Sequence, residues 1–133
     1  MRRLDSFWVA TSMLLAVISV LCLAQDMKVY PGAKHDDKVS RDATAAAPGK
    51  QVDVYLTRDD FDKVYAFYKG LYKESPMPGA RQGQKQAMRM TFFLVDGATD
   101  LASSKYWAKV QHPYLDPAGK AQDLTVIQTI RSK

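Results

Sequence analysis

The sequence predicts an α+β fold in which one amphipathic helix packs across an antiparallel sheet of four to five strands, in the order β-α-β-β-β. Three observations carry this. "QVDVYL" alternates apolar and polar residues as a half-buried strand does. "FDKVYAFYKGLY" sets its aromatic residues at helical spacing. Three further strand-like runs follow, joined by connections short enough for antiparallel neighbours.

At 133 residues the chain is one domain's worth, and its beginning reads as a targeting segment. Arg2 and Arg3 give a positive start, Met13 to Leu23 is an apolar run, and "CLA" before Gln25 places small residues where a signal peptidase reads them. Cleavage is expected after Ala24, so that 1–24 is a signal peptide, 25–50 an extended and turn-containing segment with a loop, and 51–133 the α+β domain. Two alternatives stand beside cleavage. The uncharged stretch from Ser6 to Gln25 is about long enough to cross a bilayer as a retained anchor. Cys22 is a lipidation candidate, although Leu21 stands where such a signal needs a small residue. Cleavage removes Arg2, Arg3 and Asp5 and takes the net charge from +5 to +4. It also removes Cys22, the one cysteine, which leaves an apolar core to stabilise the domain without a disulfide. The chain has no Asn, hence no N-glycosylation site.

After the signal, Val29 and Tyr30 lead into "PG", in which Pro31 presets the first central torsion of a turn and Gly32 accepts the positive one that a type II turn needs. From Lys34 to Lys50 the chain is polar and Ala-rich without a sustained period, which reads as a loop with room for a short edge strand. "QVDVYL" then places Val52, Val54 and Leu56 on one face, and Gln51, Asp53 and Tyr55 on the other. Thr57 three residues before Asp60 is a carboxylate variant of the capping box, and Asp59 adds charge that the helix dipole favours. The helix is predicted over Arg58 to Glu74, ended by "SPMPG". At about 100° per residue, Phe61, Val64, Tyr65, Phe67, Tyr68, Leu71 and Tyr72 share one arc about 160° wide. The rings therefore belong to the core, with only the hydroxyls of Tyr65 and Tyr72 reaching solvent.

"PGARQGQKQ" is a basic loop. "AMRMTFFLV" follows with apolar residues on both faces, as a central strand has. "KYWAKVQH" alternates Tyr106, Ala108, Val110 and His112 against Trp107, Lys109 and Gln111. "PYLDPAGK" is rich in turn formers, and the β-branched "DLTVIQTIR" closes the chain as a strand.

Catalytic signatures are few. No GxSxG elbow, HExxH helix or EF-hand loop is present. "GARQGQK" has the wrong glycine spacing for a phosphate loop, and "APGKQ" lacks both the upstream glycine and the hydroxyl residue after lysine. His35 in "KHDD" neighbours Asp36 and Asp37, but adjacent ligands on a polar loop are usually solvated rather than metal-bound. His112, ending a strand before Pro113, is a candidate acid or base by residue type, yet no carboxylate or nucleophile is tied to it by sequence. No cofactor, metal site or catalytic residue is expected. Lys73, Arg81, Lys85 and Arg89 form a basic cluster around the loop. Export turns its partner from nucleic acid to an anionic lipid, glycan or cell-wall polymer. The sheet face away from the helix is expected to carry Tyr55, Arg89, Phe93, Trp107 and Lys109, with Thr91, Thr125, Ile127 and Thr129 between them. This mixture of aromatic, hydroxyl and cationic groups suits recognition.

With "VYPGAK" after the signal, "DDFDKVYAFYK" on the helix and "VQHPYL" before the terminal "LTVIQTIR", the chain resembles a group of small exported bacterial proteins of uncharacterised function. In these a YPGA turn precedes a helix of the form D-x-V-x-x-FYK. The resemblance spans Val29 to Arg131 and implies a bacterial envelope location and an α+β fold, with no catalytic residues to carry over. The first expectation is thus a non-enzymatic periplasmic or secreted domain that binds a partner protein, envelope polymer or small ligand through the Trp107 face. Its rivals are an exported hydrolase or lyase that uses His112, and a membrane-tethered accessory subunit with a retained N-terminal helix.

Overall fold

The computed structural model describes residues 26–75 and 88–133. The expected signal segment, with Cys22 and the cleavage point, and the loop residues Arg81 and Lys85 lie outside them. In chain order the elements are β1 (Lys34–His35), α1 (Asp37–Ala46), β2 (Lys50–Thr57), α2 (Phe61–Lys69), β3 (Lys73–Ser75), β4 (Arg89–Leu94), β5 (Tyr106–His112), β6 (Tyr114–Leu115), β7 (Ala121–Gln122) and β8 (Thr125–Ser132). The fold is α+β as expected. Six strands form an antiparallel sheet in the order β1-β2-β8-β5-β4-β3, while β6 and β7 make a separate small hairpin. The sheet is thus larger than four or five strands, and a second helix accompanies it.

That second helix, α1, lies where the sequence reads as a loop. Its start is fixed by Asp36, whose side chain accepts the Val39 N–H at 3.0 Å. Val39, Ala43 and Ala47 then recur every four residues and pack on the cluster of Val52, Val54, Val126 and Ile130. One valine and two alanines make a helical stripe too thin to register as a period. Tertiary contact supplies what propensity does not.

The aromatic helix is shorter than predicted. It begins at Phe61 with Asp60 as its cap, the carboxylate accepting the Lys63 N–H at 2.9 Å, while Thr57 ends β2 and its hydroxyl accepts the Asp59 N–H. It stops at Lys69 before Gly70, because residues 73–75 are taken by pairing with β4, Lys73 opposite Leu94 and Ser75 opposite Phe92. Leu71 is beyond the last turn, so the helical arc no longer applies to it, and it is 46% exposed. The rings otherwise lie as expected. Phe61 and Tyr68 are buried, and Tyr65, Phe67 and Tyr72 pack against the same core with Phe93, Tyr106, Val110 and Ile127.

The segment before β1 is part of this core. Met27 is buried, and three tyrosine hydroxyls accept backbone N–H groups: Tyr106 from Met27 at 2.7 Å, Tyr72 from Lys28 at 2.9 Å and Tyr68 from Tyr30 at 2.9 Å. The Pro31-Gly32 turn follows, closed by Ala33 N–H donating to the Tyr30 carbonyl at 3.0 Å, with Gly32 at φ 86°.

Each sheet face therefore carries its own helix. Tyr55, Phe93, Ala108, Val110 and Ile127 share the α2 face. Val52, Val54, Phe92, Trp107, Lys109 and Val126 share the α1 face, as the pairings Tyr55 with Ile127, Phe93 with Ala108, Leu94 with Trp107 and Phe92 with Lys109 require.

Candidate functional site

The residues expected on one recognition face divide between the two faces. Phe93 is fully buried beneath α2, its ring centroid 5.9 Å from those of both Tyr65 and Tyr68. Tyr55 lies on the same side and packs against that core, with its ring edge-on to His35 at 5.1 Å. Arg89 is engaged at the margin of α2. Its guanidinium lies 4.4 Å from the Phe61 ring centroid and pairs with Asp62 at 2.7 Å. Of the five, Trp107 and Lys109 alone stand on the α1 face. Apolar residues on both faces of β4 and β8 leave alternation unable to say which face meets which helix. The second face is assigned by α1, whose Val39, Ala43 and Ala47 pack on it.

On that face α1 packs mainly on β2, and Tyr114 of the β6-β7 hairpin closes one end. Between α1 and strands β4 and β5 a cavity of about 530 Å³ remains, floored by Met90, Phe92, Trp107 and Ile130 and walled by Ala43 and Ala47. Phe92 meets Trp107 edge to face at 5.7 Å, which fixes both rings. Lys109 stands between this cavity and a second of about 280 Å³ that runs toward Tyr114 and Val126. Burial pushes the Lys109 ammonium below the ordinary lysine range, and no carboxylate offsets that burial. Lys109 makes no side-chain hydrogen bond or ion pair among the described residues.

A second polar cluster joins β1, α1 and β2. The His35 ring contacts Asp37 through Nδ1 at 2.6 Å and Asp53 through Nε2 at 3.0 Å, with the Ser40 hydroxyl 3.1 Å from Nε2. Its outline is that of a Ser-His-Asp nucleophile, but its bonding is not. In the imidazolium form that two flanking carboxylates favour, both nitrogens donate and neither keeps a lone pair for the Ser40 proton. Ser40 is also buried, and its hydroxyl already accepts the Val54 N–H at 2.9 Å. The cluster ties helix to sheet. Sequence could show only "KHDD", since Asp53 lies 18 residues from His35.

His112 ends β5 with Nε2 3.0 Å from the fully exposed Asp123 carboxylate. No hydroxyl nucleophile is bonded to that pair among the described residues. Nor do three or more His, Cys, Asp or Glu side chains converge on a point fit for a metal ion among them. No described helix is long and apolar enough to cross a membrane. No family model matches the chain, and neither the curated proteins nor the solved structures contain a match to it.

Proposed function

We propose that the protein is an exported, non-enzymatic binding domain whose site for a small ligand is the cavity over Trp107 and Lys109. One observation carries this reading: Met90, Phe92 and Trp107, set on rigid strand positions, line a concavity that α1 leaves open. The α2 face, by contrast, is filled by the cluster of Phe61, Val64, Tyr68, Phe93, Val110 and Ile127. A cavity of this size falls within the ~300–1,000 Å³ range of small-molecule sites.

The neutral dye Nile red tests the reading without presuming the ligand's charge. Saturable binding that quenches Trp107 and raises the melting temperature is expected, and Trp107→Ala should abolish the binding. An indole equally open to acrylamide with and without dye, together with an unmoved melting temperature, would set the reading aside. Export is tested separately by the mature N-terminus. Gln25 as first residue in a soluble envelope fraction supports it; a chain that keeps residues 1–24 in the membrane fraction supports the tethered rival.

A further inference from the structure

We infer that the ligand of this cavity is an amphipathic carboxylate, with an aryl or medium-chain body over Trp107 and its anionic head on Lys109. The inference rests on the site proposed above and adds the chemical class. Its ground is a charge without a counterion among the described residues. Lys109 sits in the middle of β5, between Phe92 and Gln128 on the neighbouring strands, where apolar side chains strip water from its ammonium. A half-buried cation without a partner among the described residues costs stability, and a ligand carboxylate that pairs with it recovers that cost on binding.

The surroundings fit an anion and disfavour a cation. The charged side chains lining the larger cavity are Lys109 in its floor and Lys50 at its exposed rim, and no carboxylate lines it among the described residues. Asp42 borders the smaller cavity but is engaged by Lys38 at 2.9 Å. Gln128, shared by both cavities, supplies an amide N–H within reach of a head group at the junction. One partly desolvated cation balances one negative charge. A phosphate ester, which carries closer to two, would bring excess charge into an apolar setting. Lys50, being exposed, adds attraction at long range that salt screens.

Titration calorimetry on the full chain, with the tryptophan fluorescence change that a Trp107→Phe variant lacks as second readout because Trp8 also emits, tests this using decanoate, 4-phenylbutyrate, decanol, decyltrimethylammonium and decyl phosphate below their micelle concentrations. At neutral pH decanoate and 4-phenylbutyrate are expected to bind, decanoate about tenfold or more tighter than decanol, as a charge-assisted contact supplies. Decyltrimethylammonium should be the weakest. Lys109→Met should erase the preference for decanoate while decanol still binds, and in the native protein the preference should fall as pH rises and Lys109 loses its proton. Equal affinity for decanoate and decanol, or tighter binding of decyl phosphate, overturns the carboxylate assignment while leaving the cavity a binding site. Failure of every probe to bind overturns both readings. The comparison of probes on the native protein decides the matter even if the variant does not fold.

Discussion

Tyr68 shows how one side chain serves two functions in this fold. Its ring is wholly buried under α2, and its hydroxyl accepts the Tyr30 N–H, so truncation and conservative change should separate the two contributions. Tyr68→Ala is expected to cost about 3 to 5 kcal/mol for the lost ring. Tyr68→Phe should cost about 1 to 2 kcal/mol for an N–H left unpaired. Urea denaturation of both variants checks this; equal losses would mean that the hydroxyl contributes all of the stability assigned to the ring. His35 gives a pH dependence whose sign follows from its partners. Burial by itself would lower its pKa, but the hydrogen bonds to Asp53 and Asp37 outweigh that and hold it above the ordinary 6.5. A folded-state pKa above the unfolded one means that the contribution is complete below about pH 6.5 and is lost as pH rises through the folded value. Denaturant midpoints measured across that window should fall with rising pH in the native protein, and the His35 contribution to that fall should vanish in His35→Gln. The burial of the rings was legible in their spacing. The partners of His35 were not, because a strand pairing brings them together.

At the scale of elements, both helices start on an aspartate that bonds back to its own first turn, Asp36 for α1 and Asp60 for α2. For α2 the cap precedes a broad aromatic stripe, so the helix is legible in the sequence and only its ends, Phe61 and Lys69, differ from the predicted Arg58 and Glu74. For α1 the cap precedes a stripe of small residues, and the helix is held by contacts made elsewhere in the chain. Ser40 accepts the Val54 N–H, and the Thr44 hydroxyl both donates to the Val52 carbonyl and accepts the Val52 N–H, each at 3.0 Å. These hydroxyls occupy backbone groups of β2 that edge strand β1 is too short to pair. Asp36→Ala is expected to cost about 1 kcal/mol through the lost cap. Ser40→Ala should cost about 1 to 3 kcal/mol, since the buried Val54 N–H loses its acceptor. Chemical denaturation measures both costs. A Ser40→Ala variant of native stability would show that the Ser40 bond adds nothing to what Thr44, Val39 and Ala43 already supply.

Across the whole molecule, the last strand of the chain enters the middle of the sheet, β8 pairing with β2 on one side and β5 on the other. The first described residues, Asp26 to Ala33, lie over the α2 core. Both ends of the described chain are thus fastened into its centre, and opening should begin at the edges. Amide exchange is expected to be slowest in β8 and β5 and fastest in the short edge strands β1 and β3, because central ladders open only with the whole domain. Slow exchange in β3 together with fast exchange in β8 would contradict the strand order. The sequence by itself determined the fold class, the aromatic helix, the Pro31-Gly32 turn and the long strands, because periodicity and turn chemistry act over a few residues. Only the tertiary structure decided that α1 exists, that Phe93 and Tyr55 pack beneath α2 while Trp107 and Lys109 face the other way, and that Lys109 stands beside an open apolar cavity. Those outcomes depend on which strand face meets which helix. Alternation defines two faces but cannot assign them when both are apolar.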